Sequence, residues 1–388
     1  MKIQVAKQDL ENALDVVASC LAGTGSDLSV HFLFRRDPAD REKIQVMTYS
    51  TRISALCPVT ATVDESDFDA FTIEGWRLKK WLSKLPDAAL TFEFDGAVVE
   101  AVCPGKGTQK FQSLDPSKFP FWDKALGDAK IIALMPAERL HRAIDYSRNF
   151  ASADESRQPE LCVCEVKEGV LASTNKRTAT LVSVAALKDS SMRVHSKDAG
   201  AILSFLATIK DDVEVLEHDK CLFLRRSDGA VFEESRFDAN FPVFNRPPDK
   251  DPHWWVLDTE ELRNAIPFLE SGAQREDDRL RFTRPGDPDD TERPVILSMQ
   301  TATGGTAEQK VTCVESGSEP DADPLPDEGF TLAYPNLTKI LDFVKSDTIK
   351  FGVSRRKKGG YLRFVDVLFA DEEGKGGDEY LTVAAWLR

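Results

Sequence analysis

Apolar positions along the chain fall on two helical templates, and each template occurs three times. The first puts Leu10, Ala13, Leu14 and Val17 at i, i+3, i+4 and i+7, the spacing that lines one side of a helix. It returns as Leu140, Ala143, Ile144 and Ser147, with a polar last position, and as Leu262, Ala265, Ile266 and Leu269. Both later copies carry helix-start chemistry, Pro136 in one and the cap candidates Asp258 and Thr259 in the other. The second template reads Leu78, Trp81, Leu82 and Leu85, then Ile202, Phe205, Leu206 and Ile209, then Leu337, Ile340, Leu341 and Val344. Alternating stretches between the helices predict strands. "TRISALCPV" and "KRTATLVSV" align Arg52 with Arg177, Leu56 with Leu181 and Val59 with Val184, while "ALTFEFDGAVVEAV" and "VEVLEHDKCLFLRR" each read as a hairpin.

A single apolar stripe is a core face and nothing more. Two helix types in the same order, three times, about 125 residues apart, imply three copies of one unit. Each copy reads strands, helix, strands, helix, strands: an α+β domain built from a doubled β-α-β-β-β motif, over 1–127, 128–251 and 252–388. The first two copies close on the same loop, "FQSLDPSKFPFWD" from Phe111 and "FEESRFDANFPVFN" from Phe232. In both, Phe-Pro and a nearby aromatic are expected to anchor the end of the unit, with proline setting the direction of the chain.

At 388 residues and 41% hydrophobic, the chain can bury a large core. It has no run of eighteen apolar residues to span a membrane, and "MKIQV" reads as a strand and not a signal peptide, so a cytoplasmic location is expected. Seven cysteines, an odd number, argue against a disulfide framework; Cys162 and Cys164 fit one face of an alternating strand better than a metal site. The five histidines, His31, His141, His195, His218 and His253, show no ligand-like spacing. With 50 basic and 65 acidic residues the net charge is −15, and the acidic excess gathers in Asp287 to Glu292, Glu315 to Glu328 and Ala370 to Glu379, which read as solvated loops. No dinucleotide, P-loop, zincin or hydrolase-elbow motif is present, so neither catalysis nor a cofactor is expected. "GKGTQK" (Gly105 to Lys110) links two strands, which makes it a hairpin turn and not a phosphate cradle.

Three such units, the opening "MKIQVAKQDLENAL", two unit ends with Phe-Pro, the Arg-bearing "STNKRTATLVSV" and a closing strand Tyr380 to Leu387 resemble the bacterial DNA polymerase III beta subunit, the replicative sliding clamp, over the whole chain. The likeness is of order and pattern more than of identity, which fits a divergent member, bacterial or phage-encoded. The resemblance implies a head-to-tail homodimer that closes a ring around duplex DNA, tethers the DNA polymerase without sequence readout, and is opened by a clamp loader. The other reading of the same fold is a protein-interaction scaffold that does not encircle DNA.

Helix geometry supplies a candidate DNA-facing set. At about 100° per residue, Arg77, Lys80 and Lys84 share a face away from the apolar stripe. Arg139 and Arg142 lie similarly off their stripe, and Lys339 occupies the place that Lys80 holds in the first copy. Basic helices in an acidic chain suit a ring whose interior meets phosphates. The resemblance also implies a pocket for partner peptides, mapped onto Thr174, Arg177, Pro242, Arg246, Tyr334, Val383, Ala384 and Ala385. Here the chain departs from the family: "TNKRTATL" lacks the usual Asp-Gly-His, and Val-Ala-Ala-Trp replaces an end richer in methionine and proline.

Overall fold

The apolar stripes become helices. The computed structural model describes residues 1–23, 27–64, 69–156, 158–219, 221–238, 240–242, 250–271, 279–284, 293–300, 304–322, 329–354, 359–366 and 377–385. Among them run α1 (Lys7–Val17), α2 (Gly75–Leu82), α3 (Asp123–Asp128), α4 (Ala137–Arg148), α5 (Ala199–Leu206), α6 (Thr259–Glu270) and α7 (Tyr334–Leu341). All four stripe residues of α1, α4 and α6 are buried, including the polar Ser147. Asp258 caps α6, its carboxylate accepting from the Glu261 N–H at 2.8 Å. The second template differs in one respect: α2, α5 and α7 stop three residues before the last stripe position. Leu85 and Ile209 sit instead in a tighter closing turn, donating to the carbonyls of Leu82 and Leu206 at 3.0 Å. The short α3 follows the first Phe-Pro loop and carries no apolar stripe.

The chain forms two compact units, one of residues 1–142 and 192–238, the other of 143–191 and 239–388. In the first unit a five-stranded antiparallel sheet runs Thr62–Val63, Lys2–Ala6, Ala89–Phe94, Val98–Cys103, Gly107–Gln112. An eight-stranded sheet runs Lys130–Pro136, Asp212–His218, Cys221–Arg225, Val231–Ser235, Ile53–Thr60, Lys43–Tyr49, His31–Arg36, Ala70–Glu74. Its middle is a seam between distant segments, with Val231 opposite Leu56 and Glu234 opposite Ile53. Phe119 and Trp122 of the first Phe-Pro loop are buried against this seam with Leu56, Phe223 and Val231, as an anchor requires, and each such side chain contributes about 2–3 kcal/mol by burial.

In the second unit the sheet order is Val163–Lys167, Val170–Thr174, Thr178–Ser183, Asp378–Ala385, Gly359–Asp366, Thr348–Ser354, His253–Asp258, Cys313–Ser318. It too contains a seam, Leu181 opposite Leu381 and Thr178 opposite Ala384. A four-stranded sheet runs Thr306–Val311, Val295–Gln300, Arg279–Thr283, Phe330–Ala333. Tyr146, fully buried, meets Phe343, Phe364 and Tyr380 edge-on and hydrogen-bonds Thr382.

Two of the stretches expected as acidic loops are partly strand. Glu315 to Ser318 belong to Cys313–Ser318, which pairs with His253–Asp258, and Asp378 and Glu379 open the strand Asp378–Ala385. Pairing with an apolar neighbour outweighs local acidity there. Asp287 to Glu292 lies outside the described residues. None of the seven cysteines forms a disulfide; six are buried and Cys221 is half-buried. Among the described residues no helix is long and apolar enough to cross a membrane.

The seam of the first unit carries a buried polar cluster. Arg52 donates to Asp198 at 2.7 Å and meets Nδ1 of His195 at 3.2 Å; the His195 N–H donates to Glu234 at 2.9 Å, and Ser54 donates to Glu233 at 2.6 Å. Removal from water pushes the Glu234 carboxyl well above its usual range; the His195 N–H and the Arg52 charge oppose this, and Asp198 and Glu233 add to it. The folded protein therefore holds this proton more tightly than the unfolded chain. The stability linked to it is complete below the unfolded value of about 4.3 and is lost as pH rises toward the folded one. Glu234→Gln keeps an acceptor for His195 but cannot ionise. The expected outcome is a thermal midpoint advantage over the parent that widens from pH 5 to pH 9 in parallel melts; a constant offset would show that Glu234 is already ionised in the folded state at pH 5 and is not held protonated by burial.

Candidate nucleic-acid and peptide interfaces

The basic face of α2 is set by how tightly the helix starts. A Cβ on Gly75 would collide with the side chain of Leu21 and come within 3.3 Å of the Val30 carbonyl, so glycine lets the first turn lie directly on its neighbours. Leu78 and Leu82 then point inward, while Trp76, Arg77 and Lys80 are exposed on the helix and Lys84 on the turn after it. Arg77 pairs with Glu74 at 2.8 Å, and Lys79 with Asp15 at 3.0 Å. Among the described residues neither Lys80 nor Lys84 has a carboxylate partner.

The other expected basic residues are less uniform. Arg139 is half-buried and Arg142 only 7% exposed, and both are already engaged in other interactions. Arg142 is thus an interior residue and drops out of the surface set, because α4 buries more of its circumference than the four-residue stripe implies. Lys339 is exposed on α7, with its ammonium 3.3 Å from the Asn149 carbonyl and 5.9 Å from the Phe150 ring centroid.

Of the residues mapped to the peptide pocket, Thr174, Arg177 and Val383 lie at one end of the second unit's sheet. Val170–Thr174 and Thr178–Ser183 form a hairpin whose tip is Asn175-Lys176-Arg177. Asn175 holds the tip, its side-chain oxygen accepting from the N–H groups of Arg177 and Thr178 at 3.0 and 2.9 Å. Thr174, buried, donates to the Thr178 carbonyl at 2.8 Å, and Arg177 is exposed. Across the seam Ala179 faces Val383, and from α7 Asn336 donates to the Thr178 hydroxyl at 3.0 Å, bringing the half-buried Tyr334 end of that helix alongside.

Strand alternation sorts the set by face. Thr174 and Val383 lie on the face where Leu181, Tyr361 and Leu381 cluster with the half-buried Val170 and Ala172. Ala384 is buried on the opposite face, with Thr382, so it supports the sheet and does not line a groove on the first. Pro242 is half-buried; Arg246 lies outside the described residues, as does the Ala385 side chain.

No family model matches the sequence, and no curated protein matches it. Solved structures do. The DNA polymerase III subunit beta of Pseudomonas aeruginosa superimposes with a TM-score of 0.79 at 16% identity, covering 100% of both chains. The DNA polymerase sliding clamp of Bacillus subtilis gives 0.79 at 14%, over 100% of this chain and 99% of that one. The beta sliding clamp of C. crescentus, which holds a polyethylene glycol at its candidate beta-motif tethering region, gives 0.78 at 17%, over 100% and 99%. The chain has the sliding-clamp fold.

Within this clamp fold, several residues of the surfaces are invisible to helix and strand periodicity. Trp76 lies on the basic face, one turn before Lys80, but as an aromatic residue off the buried stripe it belongs to neither pattern. Asn336 reveals itself only through its partner Thr178, 158 residues away. Lys176 has φ of 72°, the left-handed region that glycine favours. Since a side chain in this conformation costs roughly 1 kcal/mol, Lys176→Gly is expected to raise the thermal midpoint by a few degrees, whereas Lys176→Val lowers it. Equal midpoints for the three proteins would mean that the tip relaxes freely.

Proposed function

We propose that this chain is a DNA sliding clamp, a non-enzymatic processivity factor that encircles duplex DNA as a head-to-tail homodimer and tethers a DNA polymerase. The observation that carries the reading is a clamp fold over the full length, joined to exposed cations at Lys80 and Lys84 that have no carboxylate partner among the described residues, in a chain of net charge −15. Three clamp domains, 1–127, 128–251 and 252–388, make half of a six-domain ring, and a second copy completes it. The strand edges support this closure. Gly107–Gln112 ends the five-stranded sheet and Thr306–Val311 ends the four-stranded one, each with one edge unpaired among the described residues. An antiparallel pairing of the first edge with the second edge of another copy satisfies both and repeats head to tail.

Arg77, Lys80, Lys84, Arg139 and Lys339 are the DNA-facing cations in this reading. Such few contacts leave duplex binding weak and sequence-independent, which sliding requires. The protein is expected to sediment as a dimer and, once a clamp loader has placed it, to stay on nicked circular DNA and leave when that DNA is linearised. Combined Arg77→Glu, Lys80→Glu and Lys84→Glu should impair loading without lowering the thermal midpoint. Equal retention on linear and circular DNA refutes encirclement, and partner binding with no retention at all is the result expected of a scaffold.

The partner site in this reading lies over Leu181, Tyr361 and Leu381, at the end of the sheet that carries Thr174, Arg177 and Val383; Pro242, Arg246, Tyr334, Ala384 and Ala385 are the other residues expected of it. It suits an extended peptide carrying a leucine and an aromatic residue. A synthetic peptide of that composition should bind the parent and bind Arg177→Ala about tenfold more weakly at unchanged stability, since a hydrogen bond from an exposed guanidinium contributes about that factor. Unaltered affinity moves the site elsewhere.

A further inference from the structure

The exposed indole of Trp76 stands among cations on α2. Its ring is 55% exposed, the Arg77 guanidinium lies 5.4 Å and the Lys80 ammonium 5.8 Å from its centroid, and Lys84 follows on the next turn. The arrangement is held from below. One oxygen of Glu74 accepts from the Trp76 N–H, and the other accepts from Arg77 at 2.8 Å. Glu74 is thereby occupied by the two residues it positions, and Asp15, the acidic group on the adjacent face of α1, is paired with Lys79. Gly75 fixes the start of the helix and so the direction in which Trp76 projects.

A single exposed aromatic is ordinary on a protein surface; what distinguishes Trp76 is that Glu74 fixes its ring and two cations flank it. Positive charge around the ring selects an anionic partner, and the flat face selects a flat, apolar surface on that partner. A polyanion with flat apolar faces is a nucleic acid. In a duplex each base face is already covered by its neighbours, so an indole can stack only where bases are unpaired or at a helix end. We propose that Trp76, flanked by Arg77 and Lys80, is a stacking platform for unpaired bases, which gives this protein a grip on single strands or primer–template junctions distinct from its hold on duplex. The inference rests on the DNA-binding reading above, but not on ring closure.

The test uses the full-length protein and two probes, an oligodeoxythymidylate and a blunt duplex of the same length, with binding followed by fluorescence anisotropy at low salt. Trp76→Ala is expected to weaken single-strand binding about tenfold or more while duplex binding changes less than twofold; Trp76→Phe keeps part of the single-strand affinity, and Lys80→Glu weakens both probes. Because the side chain is exposed, thermal midpoints should match, and a shared melt confirms folding. Unchanged single-strand affinity in Trp76→Ala overturns the proposal. So does an equal loss on both probes, which would make the effect electrostatic, or a loss confined to a protein partner, which would make the face a docking surface. Retention on circular DNA is read in parallel: a parent that fails it but shows the Trp76-dependent single-strand affinity keeps the platform and loses the ring.

Discussion

The two large sheets depend on the same constraint: a strand's backbone groups must find partners, and an edge strand of one repeat finds its partner in the next. The strand Ile53–Thr60 pairs with Val231–Ser235, and its counterpart one repeat later, Thr178–Ser183, pairs with Asp378–Ala385. The cross-repeat ladder makes each seam part of a continuous sheet and not a docking of finished domains. It also explains why the compact units cut across the middle sequence repeat. The ladder leaves open the edges at Gly107–Gln112 and Thr306–Val311, where a second copy has something to pair with.

Repeats that share a backbone plan need not share its use. Arg52 and Arg177 occupy the same place ahead of equivalent strands. In the first seam Arg52 is tied to Asp198 and His195 and covers the ring of Phe237 at 5.6 Å, closing that seam with a buried polar network. In the second seam Arg177 is exposed beside an apolar face. One seam is therefore mechanically locked and the other chemically available, and the difference comes from side chains around one conserved strand geometry. The first copy of the Phe-Pro loop is fastened by Phe119 and Trp122 to the seam of the first unit.

The helices were legible because burial imposes a period on the residues themselves: Leu262, Ala265, Ile266 and Leu269 carry their common environment in their spacing. The hairpins at 89–103 and 212–225 were legible for the same local reason. The seams were not, since nothing near Leu56 in the chain points to Val231; only the repeated Arg, Leu and Val positions hinted that these strands were special. Site residues followed the same rule. Lys80 and Lys84 could be placed from helical angle alone. Arg142 could not, because its burial is decided by elements remote in sequence. Likewise Tyr361 and Leu381, which cluster with Leu181 at the second seam, look like any other strand interior until the sheet is assembled.

The burial of the thiols has a practical side. Loss of water pushes Cys57 up to about 12 and Cys221 up to about 11, and Cys20 higher still, so the thiolate that reacts with alkylating probes is scarce at neutral pH. A single cysteine introduced at an exposed position would stand out against this quiet background. The molecule can thus take a dye or a cross-linker at one chosen point without first being stripped of its own seven cysteines.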